Sequence, residues 1–111
     1  MAQITVTLEA NGKVTAQANP AKAEPGEAIT WVCVGRAKGL RLQIDFQHST
    51  PLDRLESVVE DEIRGTVPQG TAPGLYLYDI LDRAGGKLAW ANPISPQQNF
   101  GGIEIPRRPP S

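Results

Sequence analysis

The chain has a single cysteine, Cys33, a single histidine, His48, and methionine only at Met1, among 111 residues. A lone cysteine cannot close a disulfide within the chain, and one cysteine with one histidine is too few for a Cys/His zinc site. No sign of charge dominates: 11 basic against 12 acidic side chains leave a formal net charge of −1. Such a balance supplies no overall field for holding nucleic acid or an anionic membrane, so neither is expected as a partner. No apolar run approaches the length that spans a bilayer. Met1-Ala2-Gln3 leads directly into a strand pattern without a basic start or an apolar leader core. That start reads as cytoplasmic; an exported protein whose signal had been replaced by a starting methionine would read the same.

What is present is ordinary globular material, with 40% hydrophobic and 21% charged residues. This length corresponds to one domain, able to bury roughly two-thirds of the surface its unfolded form exposes. The 11 glycines and 10 prolines fall between apolar stretches as turn punctuation. The expected layout is one domain over residues 1–106 and a flexible tail over 107–111, where Arg-Arg-Pro-Pro-Ser closes the sequence.

Period-two alternation dominates the pattern. Ile4, Val6 and Leu8 alternate with Thr5, Thr7 and Glu9, and after Asn11-Gly12 the residues Val14 and Ala16 alternate with Thr15 and Gln17. A two-residue Asn-Gly loop would place the two apolar sets on opposite faces. A three-residue loop over 10–12, with Gly12 left-handed, instead pairs Leu8 with Val14 and Val6 with Ala16. Pro25-Gly26 marks a turn into the nearly continuous apolar and β-favouring run Ala28 to Val34, which reads as a central strand covered on both sides. After a polar turn over Arg36 to Gly39, Leu40, Leu42, Ile44 and Phe46 alternate with Arg41, Gln43, Asp45 and Gln47.

Thr50-Pro51 has the form of an N-cap followed by proline at the first helical position, with Leu52, Leu55 and Val59 on one helical face, so a short helical insertion is expected there. Ile63, Gly65 and Val67 return to strand spacing. Leu75 to Leu81 reads as a strand with Tyr76 and Tyr78 on one face, and the turn Ala84-Gly85-Gly86-Lys87 leads into a strand over Leu88 to Ala91. A long loop, Asn92 to Gly102, precedes a last strand around Ile103 to Ile105. About eight short strands separated by regular turn signals describe an all-β, Greek-key sandwich.

Three pieces, Pro25-Gly26-Glu27 leading to Trp31, Leu42-x-Ile44-x-Phe46, and Gly74-x-Tyr76-x-Tyr78, resemble the cupredoxin-like sandwich over the span Val14 to Ile105. In that family a Pro-Gly-acid turn precedes the central strand, and an aromatic strand delivers the copper-binding cysteine. The resemblance implies the scaffold without the metal. Asp79 stands where the cysteine would follow the aromatic strand, Asp82 where the histidine would come, and no methionine is at hand as an axial ligand. Copper electron transfer is therefore not expected, and no cofactor is. An immunoglobulin-like sandwich fits the same strand pattern.

The remaining candidates for chemistry have simpler readings. His48 beside Ser49 and Asp45 lacks a Gly-x-Ser-x-Gly elbow and a Gly-rich oxyanion loop, so it reads as a loop histidine rather than a catalytic base. Cys33 alternates with Trp31 on an apolar strand and reads as a small buried hydrophobe. The acidic residues Asp53, Glu56, Glu60, Asp61 and Glu62 match no calcium-loop spacing and are interleaved with Arg54 and Arg64. Arg36, Lys38 and Arg41 gather at one turn without aromatics suited to stacking on bases.

The function expected is a non-enzymatic module that binds another protein or a second copy of itself. Trp90 and Phe100, flanking the long loop, are the candidate apolar contact. Thr5 and Thr7 sit on an uncharged, proline-free strand that is either paired inside its sheet or open as an oligomeric edge. The alternative is a small-ligand or carbohydrate-binding sandwich using Trp90, Tyr76 or Tyr78 as a platform.

Overall fold

A computed structural model of the chain describes residues 2–46, 61–94 and 100–107, together with the backbone of 56–59. The described residues contain nine strands: β1 Ala2–Leu8, β2 Val14–Gln17, β3 Ala21–Lys22, β4 Ala28–Cys33, β5 Gln43–Phe46, β6 Glu56–Val59, β7 Glu62–Thr66, β8 Gly74–Leu81 and β9 Gly101–Ile105. They form two sheets, ordered β2-β1-β4-β7-β6 and β3-β9-β8-β5. The molecule is an all-β sandwich, as its alternation predicts. The expected helical insertion falls mostly outside the described residues, and Glu56–Val59 within its span is strand β6, antiparallel to β7. Among the described residues helical geometry is limited to a 3-10 turn at Gly35–Ala37, and no helix is long and apolar enough to cross a membrane.

The first hairpin has the predicted register. Leu8 pairs with Val14 and Val6 with Ala16. The Glu9 N–H donates to the Lys13 carbonyl at 2.8 Å, closing a three-residue loop in which Gly12 has φ 86°. That conformation suits a residue without a Cβ. The turn before β4 is also built locally: the Glu27 carboxylate accepts the Glu24 N–H at 2.9 Å, and the Glu27 N–H donates to the Glu24 carbonyl at 3.0 Å. The backbone N–H of Glu24 holds the Glu27 carboxyl below the ordinary carboxylate range.

β4 is central, antiparallel to β7 on one side and parallel to β1 on the other. Ile29, Trp31 and Cys33 point into the sandwich, where they meet Ile4 and Val6 of β1 and Tyr78, Ile80, Ile103 and Ile105 of the opposite sheet. Tyr78 anchors an aromatic group, with ring centroids 5.6 Å from Trp31, Phe46 and Trp90 alike. Three edge-to-face or tilted contacts of this kind each add about 0.5–1.5 kcal/mol beyond the area they bury.

The chain passes from one sheet to the other between β2 and β3, and a pair of asparagines joins the layers there. Asn19 Nδ2 donates to the Asn92 carbonyl at 2.6 Å, and Asn19 Oδ1 accepts the Gly102 N–H at 3.0 Å. The predicted strand over Leu88 to Ala91 is reduced to isolated bridges at Lys87 and Trp90. Its backbone serves another purpose: the Ala89 carbonyl accepts the Val14 N–H at 2.8 Å, and the Ala91 N–H donates to the Val14 carbonyl at 2.7 Å. The segment thus runs along the outer edge of β2.

Candidate functional site

Where the first hairpin, the β4–β5 connection and the turn after β8 come together, the inter-sheet space opens to solvent as a cleft of about 540 Å³. Its apolar lining is made by Leu8, Leu40, Leu42 and Leu88, and Asp82 and Arg83 line it as well. Sequence parity explains the lining. Leu8 follows Ile4 and Val6 on the inward face, and Leu42 precedes Ile44 and Phe46 on the inward face of the other sheet, so Leu42 belongs to the buried core and half-buried Leu8 extends that core towards solvent. Leu40 is 39% exposed, high for a large apolar side chain.

Two turns fix this geometry. Asp82 Oδ1 accepts the backbone N–H groups of Ala84 at 2.9 Å and Gly86 at 2.8 Å, and the Asp82 N–H donates to the Gly86 carbonyl at 2.8 Å. An aspartate that folds back onto the N–H two residues ahead makes a turn by itself, and here it also stations Arg83 at the tip. In the β4–β5 connection the Gly39 N–H donates to Asp61 Oδ1 at 2.8 Å. Gly39 and Arg41 both lie at positive φ, 77° and 53°, in the connection that supplies the lining residues Gly39, Leu40 and Leu42.

The residues singled out from the sequence are dispersed. Trp90, read as a contact on the surface or a core residue, is 3% exposed and packed against Tyr78 and Gly101. It belongs to the core. An added Cβ at Gly101 would lie 2.5 Å from the indole, so glycine at 101 is what lets Trp90 turn inward. Phe100 is half-buried, and its carbonyl accepts the Ile94 N–H at 3.1 Å. Thr5 and Thr7 are half-buried on the outer face of β1, a strand paired with β2 on one side and β4 on the other. β1 is therefore paired within its sheet on both sides and offers no open edge. Tyr78 is fully buried, and the Tyr76 hydroxyl donates to the Ala72 carbonyl at 2.7 Å.

His48 and Ser49, which with Asp45 formed the triad-like grouping, lie outside the described residues, as do Asp53 and Glu60 of the acidic cluster. Asp61 is occupied by Gly39, and Asp79 is buried with Lys87 Nζ at 3.4 Å. No group of three or more His, Cys, Asp or Glu side chains among the described residues is placed to hold a metal ion. Cys33 is 5% exposed, and burial, reinforced by the negative charge of Asp61, pushes its thiol up from 9.0 to about 11. A thiol so disposed is protonated and unreactive at neutral pH.

Sequence reasoning assigned all four cleft leucines to core or strand and missed the cleft. The available signal was the apolar Leu40 next to a glycine and beyond the end of a regular strand. Neither a scan against models of known protein families nor a search of the curated proteins found a match to this chain.

Proposed function

We propose that this chain is a non-enzymatic binding module on a copper-free, cupredoxin-like sandwich, and that the loop-end cleft receives an apolar group of whatever it binds. The carrying observation is the cleft itself. Its volume of about 540 Å³ falls within the roughly 300–1,000 Å³ usual for ligand sites, and four leucines line it beside Asp82 and Arg83. The scaffold reading is supported by the Pro25-Gly26 turn preceding a central strand and by Tyr76 and Tyr78 on the inner strand β8. The absence of copper is supported by the work that the two aspartates do elsewhere, Asp79 with Lys87 and Asp82 in its turn.

Two earlier alternatives separate on this geometry. A carbohydrate platform has little to build on, since Tyr78 and Trp90 are interior and neither they nor Tyr76 lines the cleft. A small apolar ligand, or the apolar side chain of a partner protein, has a concave place to go. Nuclear magnetic resonance of nitrogen-labelled protein, titrated with a panel of small apolar compounds, tests the reading. Amide shifts concentrated at Leu8, Leu40, Leu42 and Leu88 are expected. Shifts scattered over the surface, or none, would refute the cleft as the binding site.

A further inference from the structure

Among the described residues the two sheets end on β2, β6, β3 and β5, and the first three of these edges are blunted. The outward groups of β2 are taken by Ala89, Ala91 and Asn92. β3 is two residues long and ends on Lys22, and the pairing of β6 with β7 shifts register between Ser57 and Val59. Shortness, lysine, covering segments and irregular pairing are the usual means of keeping a strand edge from adding another chain. β5 has none of them: Gln43 to Phe46 pair with β8 without interruption, and no described residue lies along their other side.

Ladder parity identifies the groups that β5 leaves over. The Ile80 carbonyl accepts the Leu88 N–H at 3.0 Å, on the side of β8 away from β5. Ile80 thus turns its backbone from Ile44, and the bonds between β5 and β8 are made by Gln43 and Asp45, opposite Leu81 and Asp79. Ile44 and Phe46 direct their N–H and C=O groups outward. Their side chains are half-buried against the core, while Gln43 and Asp45 are exposed on the other face.

A strand added here has to continue that pleat, apolar towards the sandwich and polar towards solvent. A second β5 does so. When two such strands run antiparallel about a two-fold axis, a register centred on Ile44 keeps the faces matched and sets Gln43 opposite the partner's Asp45, twice, an amide against a carboxylate. Centring on Asp45 would instead put two carboxylates face to face. We propose that two copies of this chain associate through β5, antiparallel and centred on Ile44, joining their four-stranded sheets into one continuous sheet. This does not depend on the cleft being a binding site.

Light scattering of the full chain across a concentration series, with amide hydrogen exchange at both ends of the series, tests the proposal. The mass is expected to rise from that of one chain towards twice it. The Ile44 and Phe46 amides are expected to exchange severalfold more slowly in the concentrated sample, while the Asp45 amide, bonded to β8 in either state, keeps its rate. Gln43→Glu sets like charges opposite each other twice and should weaken the dimer by about fivefold, and Gln43→Lys should strengthen it by about as much. Gln43 is exposed, so neither change disturbs the core, and circular dichroism checks that both variants fold. One mass at every concentration would overturn the proposal. So would a dimer in which Ile44 and Phe46 exchange as they do in the monomer, or one indifferent to both Gln43 variants.

Discussion

Asn92 holds both backbone polar groups of Ala16 with its side-chain amide: the Ala16 N–H donates to Asn92 Oδ1 at 3.1 Å, and Asn92 Nδ2 donates to the Ala16 carbonyl at 2.7 Å. A single side chain thus stands in for the next residue of a neighbouring strand. With the Val14 pairings to Ala89 and Ala91 just before it, this occupies the outward-facing N–H and C=O groups along β2, the edge at which a sheet would otherwise pair with another chain.

Asn92→Ala should therefore lower stability by about 2 kcal/mol, since it strands two backbone groups beside a fully buried residue. Asn92→Asp should cost at least as much, because a carboxylate accepts the Ala16 N–H but faces the Ala16 carbonyl without a donor. Urea unfolding of the three proteins measures this. An unchanged midpoint for both variants would mean that the amide bridge contributes nothing.

Gly101→Ala tests the close approach of β9 to Trp90. The added methyl would fall 2.5 Å from the indole and 3.0 Å from the Tyr78 ring. Both rings are fixed in the aromatic group and neither is a flexible side-chain end. A destabilisation of about 1–3 kcal/mol is expected, with altered tryptophan fluorescence. A variant with native stability and native emission would contradict this packing.

Alkaline pH should destabilise the fold through two buried acids. Burial raises Cys33 from 9.0 to about 11 and Tyr78 from 10.0 to about 12, the Trp31 indole N–H opposing the latter shift weakly. For a group that is neutral when protonated and has a raised folded pKa, the folded state holds its proton while the unfolded state releases it. The stabilisation is whole below pH 9 and is lost as pH climbs towards 11 and 12. Thermal melts should be flat in this respect up to about pH 9 and fall above it, and Cys33→Ala should delay the onset. Rapid reaction of native protein with a disulfide reagent at pH 7, matching the rate in denaturant, would sink the assignment of Cys33 as a buried thiol.

Thr5→Lys with Thr7→Lys should leave the mass in solution unchanged. Both threonines sit on the outer face of a strand whose two edges are already taken by β2 and β4, so lysine adds charge without blocking a pairing edge. Stability should move by less than about 1 kcal/mol. Light scattering that shows a wild-type oligomer falling apart in this variant would place a partner on that face.

Much of the fold was legible because strand formation is written in neighbouring residues. Period two alone placed Ile4, Val6 and Leu8 on one face, the loop geometry at Gly12 set Leu8 against Val14, and the run from Ala28 to Val34 marked the central strand. Ala84-Gly85-Gly86-Lys87 announced the turn after β8 by residue type. These features depend on interactions a few residues long, and local sequence carries them. The candidate site was not legible in the same way: each of its leucines looked like a core residue, as each is by parity.

Tertiary structure decided what lies between distant segments. Strand order determined that β1 is interior, which removed Thr5 and Thr7 from any edge, and it drew Trp90 inward past Gly101. It turned the predicted strand over Leu88 to Ala91 into a guard for β2, finished by Asn92 seventy-six positions from Ala16. It also brought four leucines, drawn from the first hairpin, the β4–β5 connection and the turn after β8, to one cleft, with Leu42 buried, Leu8 and Leu88 half-buried and Leu40 exposed. Alternation determines which face a residue takes on its own strand. Whether that face is then covered depends on where the sandwich ends, and that is set by the packing of the whole chain.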